Sequence, residues 1–417
     1  MKRFAICMDG TWQQLNQPRA TNINLIARSI AHQAGDVPQI VIYTPGVGST
    51  LNALKGRQTA VSAFNTWLTS TIGGIFGEGL EDAILDTYLR LAFNYEPGDE
   101  IYIFGFSRGA FSARSLAAMI GKCGIVRRRF AVKAGDAFRL YRDASIKPDS
   151  PEAVEFRTQF GKRLGKGTGR HNADYRPPIA YLGIFDTVGQ RGLPSMLGPL
   201  SAMRNKRYAF HDTSLGSHVA AARHALAIDE RRAAFPPTLW DNFDVLNQPA
   251  RAAGQPDPYQ QRWFVGGHGD VGGGNPSTLS NFSLEWMVEG AERAGLAFDR
   301  TDQSPLTITL TGDGALNPAA PITAPSLVRM AVPINWNGPW RKIPVGADVE
   351  IDRTVCESAL HQSVAMRTVS RLKRPYAPAP LKPFKSALQE IAAPPALMYT
   401  LVDVLKPKPR KKFLGLF

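Results

Sequence analysis

Apolar residues recur at two spacings along the first 120 positions of the chain. Phe4-Ala5-Ile6-Cys7-Met8 and Gln39-Ile40-Val41-Ile42-Tyr43 are short, nearly continuous apolar runs, each closed by turn residues at Asp9-Gly10-Thr11 and Pro45-Gly46-Val47-Gly48. Between them, Leu25, Ile26, Ser29 and Ile30 fall at helical spacing, predicting a helix within 24–34. A stronger amphipathic helix is predicted from Leu80, Ile84, Leu85, Tyr88, Leu91 and Ala92. After the turn Pro97-Gly98-Asp99, the run Ile101-Tyr102-Ile103-Phe104-Gly105 reads as a fully buried strand and Ala110–Ile120 as the next helix. Strands alternating with helices predict an α/β fold: a mostly parallel sheet covered by helices on both faces.

Further strands are expected at Ile179–Phe185 and Arg262–Val265. The long intervals 127–175 and 190–258, the second with a helical run near Leu226, are expected to be insertions that form a cap. Leu306–Leu310 and Leu327–Val332 read as strands of a small accessory sheet. The segment Thr59–Ile75, with Phe64, Trp67, Leu68, Ile72 and Ile75, fits a lid or membrane-facing insert and fits a core helix equally well. A single α/β domain is expected over 1–370, followed by a Pro-rich basic tail over 371–417.

Composition narrows the class. Hydrophobic residues make up 44% of 417, ample for a core. Cys7, Cys123 and Cys356 are widely separated, which argues against a disulfide scaffold or a zinc ribbon. The apolar run near the N-terminus stops at Asp9 after five residues, too short for a signal peptide, and no run reaches bilayer-spanning length. The expectation is cytoplasmic synthesis and, if the protein is exported, a contact-dependent route without a leader. The net charge is +14, of which the tail holds ten cations against two acids, or +8. Such a tail, ending in Phe413-Leu414-Gly415-Leu416-Phe417, suits docking on an anionic membrane or stays a solvated arm. No nucleic-acid motif is present, and no nucleic-acid partner is expected.

One motif carries chemistry. Gly105-Phe106-Ser107-Arg108-Gly109 lies between a buried strand and a helix, the context a G-x-S-x-G nucleophile elbow requires. A serine nucleophile needs a base and a carboxylate to orient it. Asp186 follows the strand 179–185, at the carboxyl edge where sites form. Of seven histidines, only His268 combines a strand end, a glycine-rich loop (Gly266 to Gly274) and a position after Asp186. His211, His218 and His224 fall in the expected cap, and His361 reads as a packing residue. Asp270 breaks the usual acid-then-His order and is read as orienting the loop. For the oxyanion hole, the Arg108 N–H and an N–H of Gly10 or Thr11 are the candidates, with Asp9 holding the first loop. A dehalogenase-type phosphatase would need an aspartate where Cys7 stands. Acyl transfer by this set requires no metal or organic cofactor.

Taken together the motifs resemble the bacterial and fungal α/β-hydrolase family of unknown function numbered 2235, which includes the type VI secretion lipase effectors of the first class. The matching runs are Met8–Trp12, Tyr43–Gly48, Pro97–Arg114, Phe185–Gly189, His224–Arg232, Trp263–Gly274 and His361–Val364. The resemblance implies an α/β-hydrolase fold, a triad falling on Ser107, Asp186 and His268, and ester cleavage, with membrane phospholipids as substrate in the effectors. Those effectors often carry large membrane-facing insertions, and this chain is more compact, so the resemblance bears on hydrolase chemistry more firmly than on substrate. The alternatives are a cytosolic esterase on small acyl substrates and a non-enzymatic basic binding module.

Overall fold

The computed structural model describes residues 1–10, 13, 18–46, 76–164, 175–188, 214–232, 235–306, 308, 310, 340–344, 350–369 and 376–392. The runs 59–75 and 327–332 and the last dozen residues lie outside these, as does part of 306–310.

Among the described residues a seven-stranded sheet organises the chain. Its strands are β1 (Arg3–Met8), β2 (Gln33–Ala34), β3 (Val37–Thr44), β4 (Glu100–Phe106), β5 (Ile179–Phe185), β6 (Ala222–Ala227) and β7 (Tyr259–Phe264). Their spatial order is β2-β3-β1-β4-β5-β6-β7, and only the short β2 runs antiparallel to its neighbour. Alternation along β1 divides the core. Phe4, Ile6 and Met8 enter one hydrophobic cluster, while Ala5 and Cys7 enter another on the opposite face. The first cluster is covered by α2 (Phe76–Asn94) and α3 (Arg108–Cys123), the second by α1 (Asn22–Ser29) and α8 (Ser280–Arg293). All three cysteines are buried and free.

The helix expected within 24–34 ends at Ser29, because Ile30 turns to extended φ/ψ and the chain enters β2. The run near Leu226 is a strand, not a helix. Ala222–Ala227 has helix-favouring composition, but it lies between β5 and β7 and is buried along its whole length. Ladder pairing on both sides overrides propensity there. The interval 190–258 is therefore not one cap insertion, since it contributes an interior strand of the sheet and α6 (Phe243–Ala252). The interval 127–175 also departs from a cap. Its described part, with a 3-10 turn (Arg128–Lys133), α4 (Ala134–Arg142) and α5 (Pro151–Phe160), follows the C-terminus of α3. A 16-residue helix is about 24 Å long. The segment thus leaves at the end remote from Ser107, where Ala134, Ala137 and Phe138 join the first core cluster.

The C-terminal region divides differently from the boundary at 371. Helices α9 (Arg353–Ala359) and α10 (Gln362–Val369), a 3-10 turn (Ala379–Phe384) and α11 (Lys385–Ala392) form a third cluster. Leu381, Phe384, Ala387 and Leu388 are buried there against Leu226, Trp263 and Val364. The first part of the segment read as a tail is packed on the domain.

Candidate active site

Six parallel strands end at one edge, and the chemistry gathers there. β4 leads into Ser107, which is forced into φ 58°, ψ −118° before α3 begins at Arg108. Its N–H donates to Phe185 O (3.0 Å), tying the elbow to β5. The flanking glycines are required by contact. A Cβ on Gly105 would stand 2.5 Å from Gly109 O, and one on Gly109 would stand 2.2 Å from Met8 O. Only side-chain-free positions let helix and strands approach this closely. The start of α3, with Arg108 as its first residue, presents N–H groups outside the helical ladder and the positive end of the helix dipole.

Asp186 follows β5, also at positive φ (37°), and is fully buried. Its Oδ2 accepts from His268 Nδ1 at 2.6 Å, and its Oδ1 accepts from Ala227 N at 3.0 Å. Arg341 donates to both oxygens, Nη1 to Oδ1 at 2.6 Å and Nη2 to Oδ2 at 3.1 Å. Burial by itself would push the Asp186 carboxyl up. The Arg341 charge and the His268 contact outweigh it and hold the group far below the usual carboxylate range.

His268 opens α7 (His268–Gly272), just past β7. Its N–H lies 3.3 Å from Glu230 Oε2, and the rings of Phe106 (4.7 Å between centroids) and Phe235 (5.1 Å, stacked) rest against the imidazole. Glu230, buried, is gripped by Arg232, whose hydrogen bonds pull its carboxyl down against the opposing effect of burial. Asp270 is the third helical position and accepts from Gly267 N (3.1 Å) and from Asn275 Nδ2 (3.1 Å), bracing the loop. Ser107 and His268 are 8% and 9% exposed, so both sit just beneath the surface. Among the described residues no hydrogen bond joins Ser107 Oγ to His268. Such bonds are commonly long before substrate arrives.

Asp9, at the end of β1, is buried and accepts from Gly10 N (2.7 Å), Thr21 Oγ1 (2.8 Å) and Tyr43 Oη (2.7 Å). Burial outweighs these three donors and raises its carboxyl to about 6. The Gly10 N–H is thereby engaged by Asp9, which leaves Gly10 a poorer oxyanion donor than expected. Thr11 lies outside the described residues.

His224, expected in a cap, stands instead on β6 beneath the acid. Its Nδ1 contacts Gln261 Oε1 (3.0 Å), and its Nε2 accepts weakly from Thr187 N (3.4 Å). Burial lowers it to about 3, so it is neutral and braces the loop after Asp186. His361 stacks on Phe264 (4.3 Å) and contacts Ser363 Oγ. A separate cavity of about 140 Å³ runs along α3 between Arg114, Arg176, His218 and Trp240, and includes neither Ser107, Asp186 nor His268. Among the described residues no group of three or more His, Cys, Asp or Glu is arranged to hold a metal, and no helix is long and apolar enough to cross a membrane.

Arg341, Phe235 and Glu230 escaped the sequence reading as site residues. Glu230 sits in a motif run with no role attached, and Arg341 follows Trp340 in a stretch without periodicity. Nothing local marks either as a neighbour of residues 38 to 155 positions away.

A mostly parallel sheet with a serine elbow, an acid after β5 and a histidine after β7 defines an α/β-hydrolase. Residues 2–290 match the family model described as "T6SS, Phospholipase effector Tle1-like, catalytic domain", and the chain belongs to that family. It is 30% identical over 237 residues to the uncharacterized protein YEL023C of Saccharomyces cerevisiae, covering 56% of this chain and 32% of that one. Among solved structures it is similar to an uncharacterized protein from Pseudomonas aeruginosa (16% identity, TM-score 0.37, 74% of this chain and 48% of that one). It is also similar to the Tle1 effector in a structure titled as bound to the VgrG spike of the type 6 secretion system (13%, 0.40, 74% and 76%). The chain thus spans about a third of the yeast relative and about half of the Pseudomonas protein.

Proposed function

We propose that this chain is a serine ester hydrolase acting on lipid esters, phospholipids foremost. The observation that carries it is the 2.6 Å contact between Asp186 Oδ2 and His268 Nδ1 at the sheet edge where Ser107 is held in a strained turn. In this reading His268 Nε2 takes the Ser107 proton as Oγ attacks the ester carbonyl. Asp186 keeps the proton on Nδ1 and stabilises the imidazolium. The N–H groups at the start of α3, Arg108 first, receive the oxyanion, and a second donor comes from Thr11 or from Gly10 once Asp9 releases or shares the Gly10 N–H. His268 then protonates the leaving alcohol, and water, activated by the same imidazole, hydrolyses the acyl-enzyme. The family description supports the phospholipid class and, with it, delivery by type VI secretion.

A fluorophosphonate probe tests the chemistry, and anionic and zwitterionic phospholipid vesicles beside soluble short-acyl esters test the substrate. Ser107 should be labelled, and Ser107→Ala should abolish labelling and hydrolysis with the fold retained. Turnover of soluble esters without turnover of vesicles would favour the small-substrate esterase. Full activity in Ser107→Ala would overturn the reading.

A further inference from the structure

We infer that Arg341 is a positioning residue for the acid–base pair: it locks the Asp186 carboxylate in the orientation that directs Oδ2 at His268. This rests on the reading of Ser107, Asp186 and His268 as a triad. Asp186 is fully buried and Arg341 nearly so, at 7%. The planar guanidinium meets the carboxylate with one Nη on each oxygen, which fixes the carboxylate plane as a single-point cation does not. The remaining capacity of the same two nitrogens goes to Ala227 O (3.0 Å) and Phe235 O (2.7 Å). Arg341 therefore joins the end of β5, the end of β6 and the residue whose ring stacks on His268.

The placement of Arg341 in the chain gives this a wider meaning. The catalytic-domain match ends at residue 290, and Arg341 lies beyond it. So does Tyr376, whose hydroxyl donates to Asp229 Oδ2 (2.7 Å), a carboxylate that also holds Gly266 N (2.7 Å) in the His268 loop. The C-terminal region thus supplies parts of the frame around both the acid and the base.

The charges facing His268 set the expected pH effect. Asp186 after β5 and Glu230 after β6, the latter held by Arg232, contact His268, Asp270 lies on its own helix, and Arg108 and Asp9 stand at the same sheet edge, at the start of α3 and just past β1. The carboxylates of α8, which packs on the His268 helix, are held by Arg223, Arg293 and Arg300. Arg341 is the cation directly on the acid. Its removal takes a positive charge away from the acid and leaves Asp186 with the imidazole and the Ala227 N–H, which makes the imidazolium easier to form and moves the acid limb of kcat/KM to higher pH.

The test uses the full chain with Arg341→Met and Arg341→Lys. Melting curves, Ser107 labelling by the fluorophosphonate, and kcat and KM on a soluble short-acyl ester are each followed over pH. Arg341→Met is expected to lose on the order of 10²-fold in kcat, as for a catalytic group moved by about an ångström, with KM little changed and the acid limb displaced upward. Arg341→Lys, which keeps the charge and loses the two-point contact, should retain the wild-type acid limb but recover only part of kcat. A folded Arg341→Met with wild-type kcat and an unmoved acid limb overturns the inference. If the Met variant does not fold, Arg341→Lys decides: full kcat overturns it. Wild-type protein that resists labelling at Ser107 overturns the triad reading and this inference together, whereas labelled wild type with indifferent Arg341 variants sinks this inference alone.

Discussion

His268 Nδ1 and Asp186 Oδ2 stand 2.6 Å apart, brought together from positions 82 residues apart in sequence by two strands that end at the same sheet edge. A carboxylate in that contact fixes the imidazole tautomer, and an amide reverses it. Asp186→Asn should therefore lower kcat by about 10⁴-fold while KM changes little. Steady-state kinetics on a soluble ester check this. Retention of more than a tenth of wild-type kcat would remove Asp186 from the orienting role.

Ser107 occupies a backbone conformation that glycine adopts more readily than serine. Ser107→Gly is expected to be inactive yet more stable than wild type by about 1 kcal/mol, since the strain is relieved and the hydroxyl makes no hydrogen bond among the described residues. Denaturant unfolding of the two proteins side by side measures the difference. A less stable glycine variant would mean the strain is smaller than the lost contacts.

Asp9 gives a pH dependence of definite sign. Its folded value, about 6, lies above the ordinary carboxylate value of 3.8. The folded state keeps its proton longer than the unfolded chain does, so the contribution is fully present below about pH 4 and is lost as pH rises through 6. At pH 7 the ionised group costs on the order of 3 kcal/mol. In Asp9→Asn the amide oxygen can still accept from Gly10 N, while its NH₂ faces hydroxyls able to accept. The variant should gain stability relative to wild type between pH 4.5 and 7. Paired melting curves at those two pH values test it, and a difference that does not grow with pH would refute it.

Phe384 carries the claim that the packed domain continues past residue 371. Its side chain is fully buried in the third hydrophobic cluster. Phe384→Ala is expected to destabilise the whole domain by about 3–5 kcal/mol, as for a core phenylalanine. A change under 1 kcal/mol in chemical denaturation would show that this segment adds little.

Much of this protein is legible in its sequence wherever a local pattern carries the information. The run Ile179–Phe185 is β5 residue for residue, and the helices around Leu80–Ala92 and Ala110–Ile120 differ from the expectation only at their ends. The elbow at Ser107 is legible because two glycines and a serine at fixed spacing answer a local steric demand. Asp186 and His268 are legible as residues that follow strands, and the strand order of an α/β sheet places such ends on one edge.

Other features depended on partners distant in sequence. Ala222–Ala227 has the composition of a helix and becomes a strand because β5 and β7 pair with it on both sides. The helices of the third cluster draw residues 376–392 out of the apparent tail, because Phe384 and Leu388 find apolar surface on β6 and β7. Arg341 reaches the buried carboxylate from 155 positions away, at a distance that no periodicity encodes. The sequence by itself determines what each short segment can be and which side chains are candidates for chemistry. Only the tertiary structure decides which charges meet in a buried site, because that pairing is set by desolvation and contact among segments with no local relation to one another.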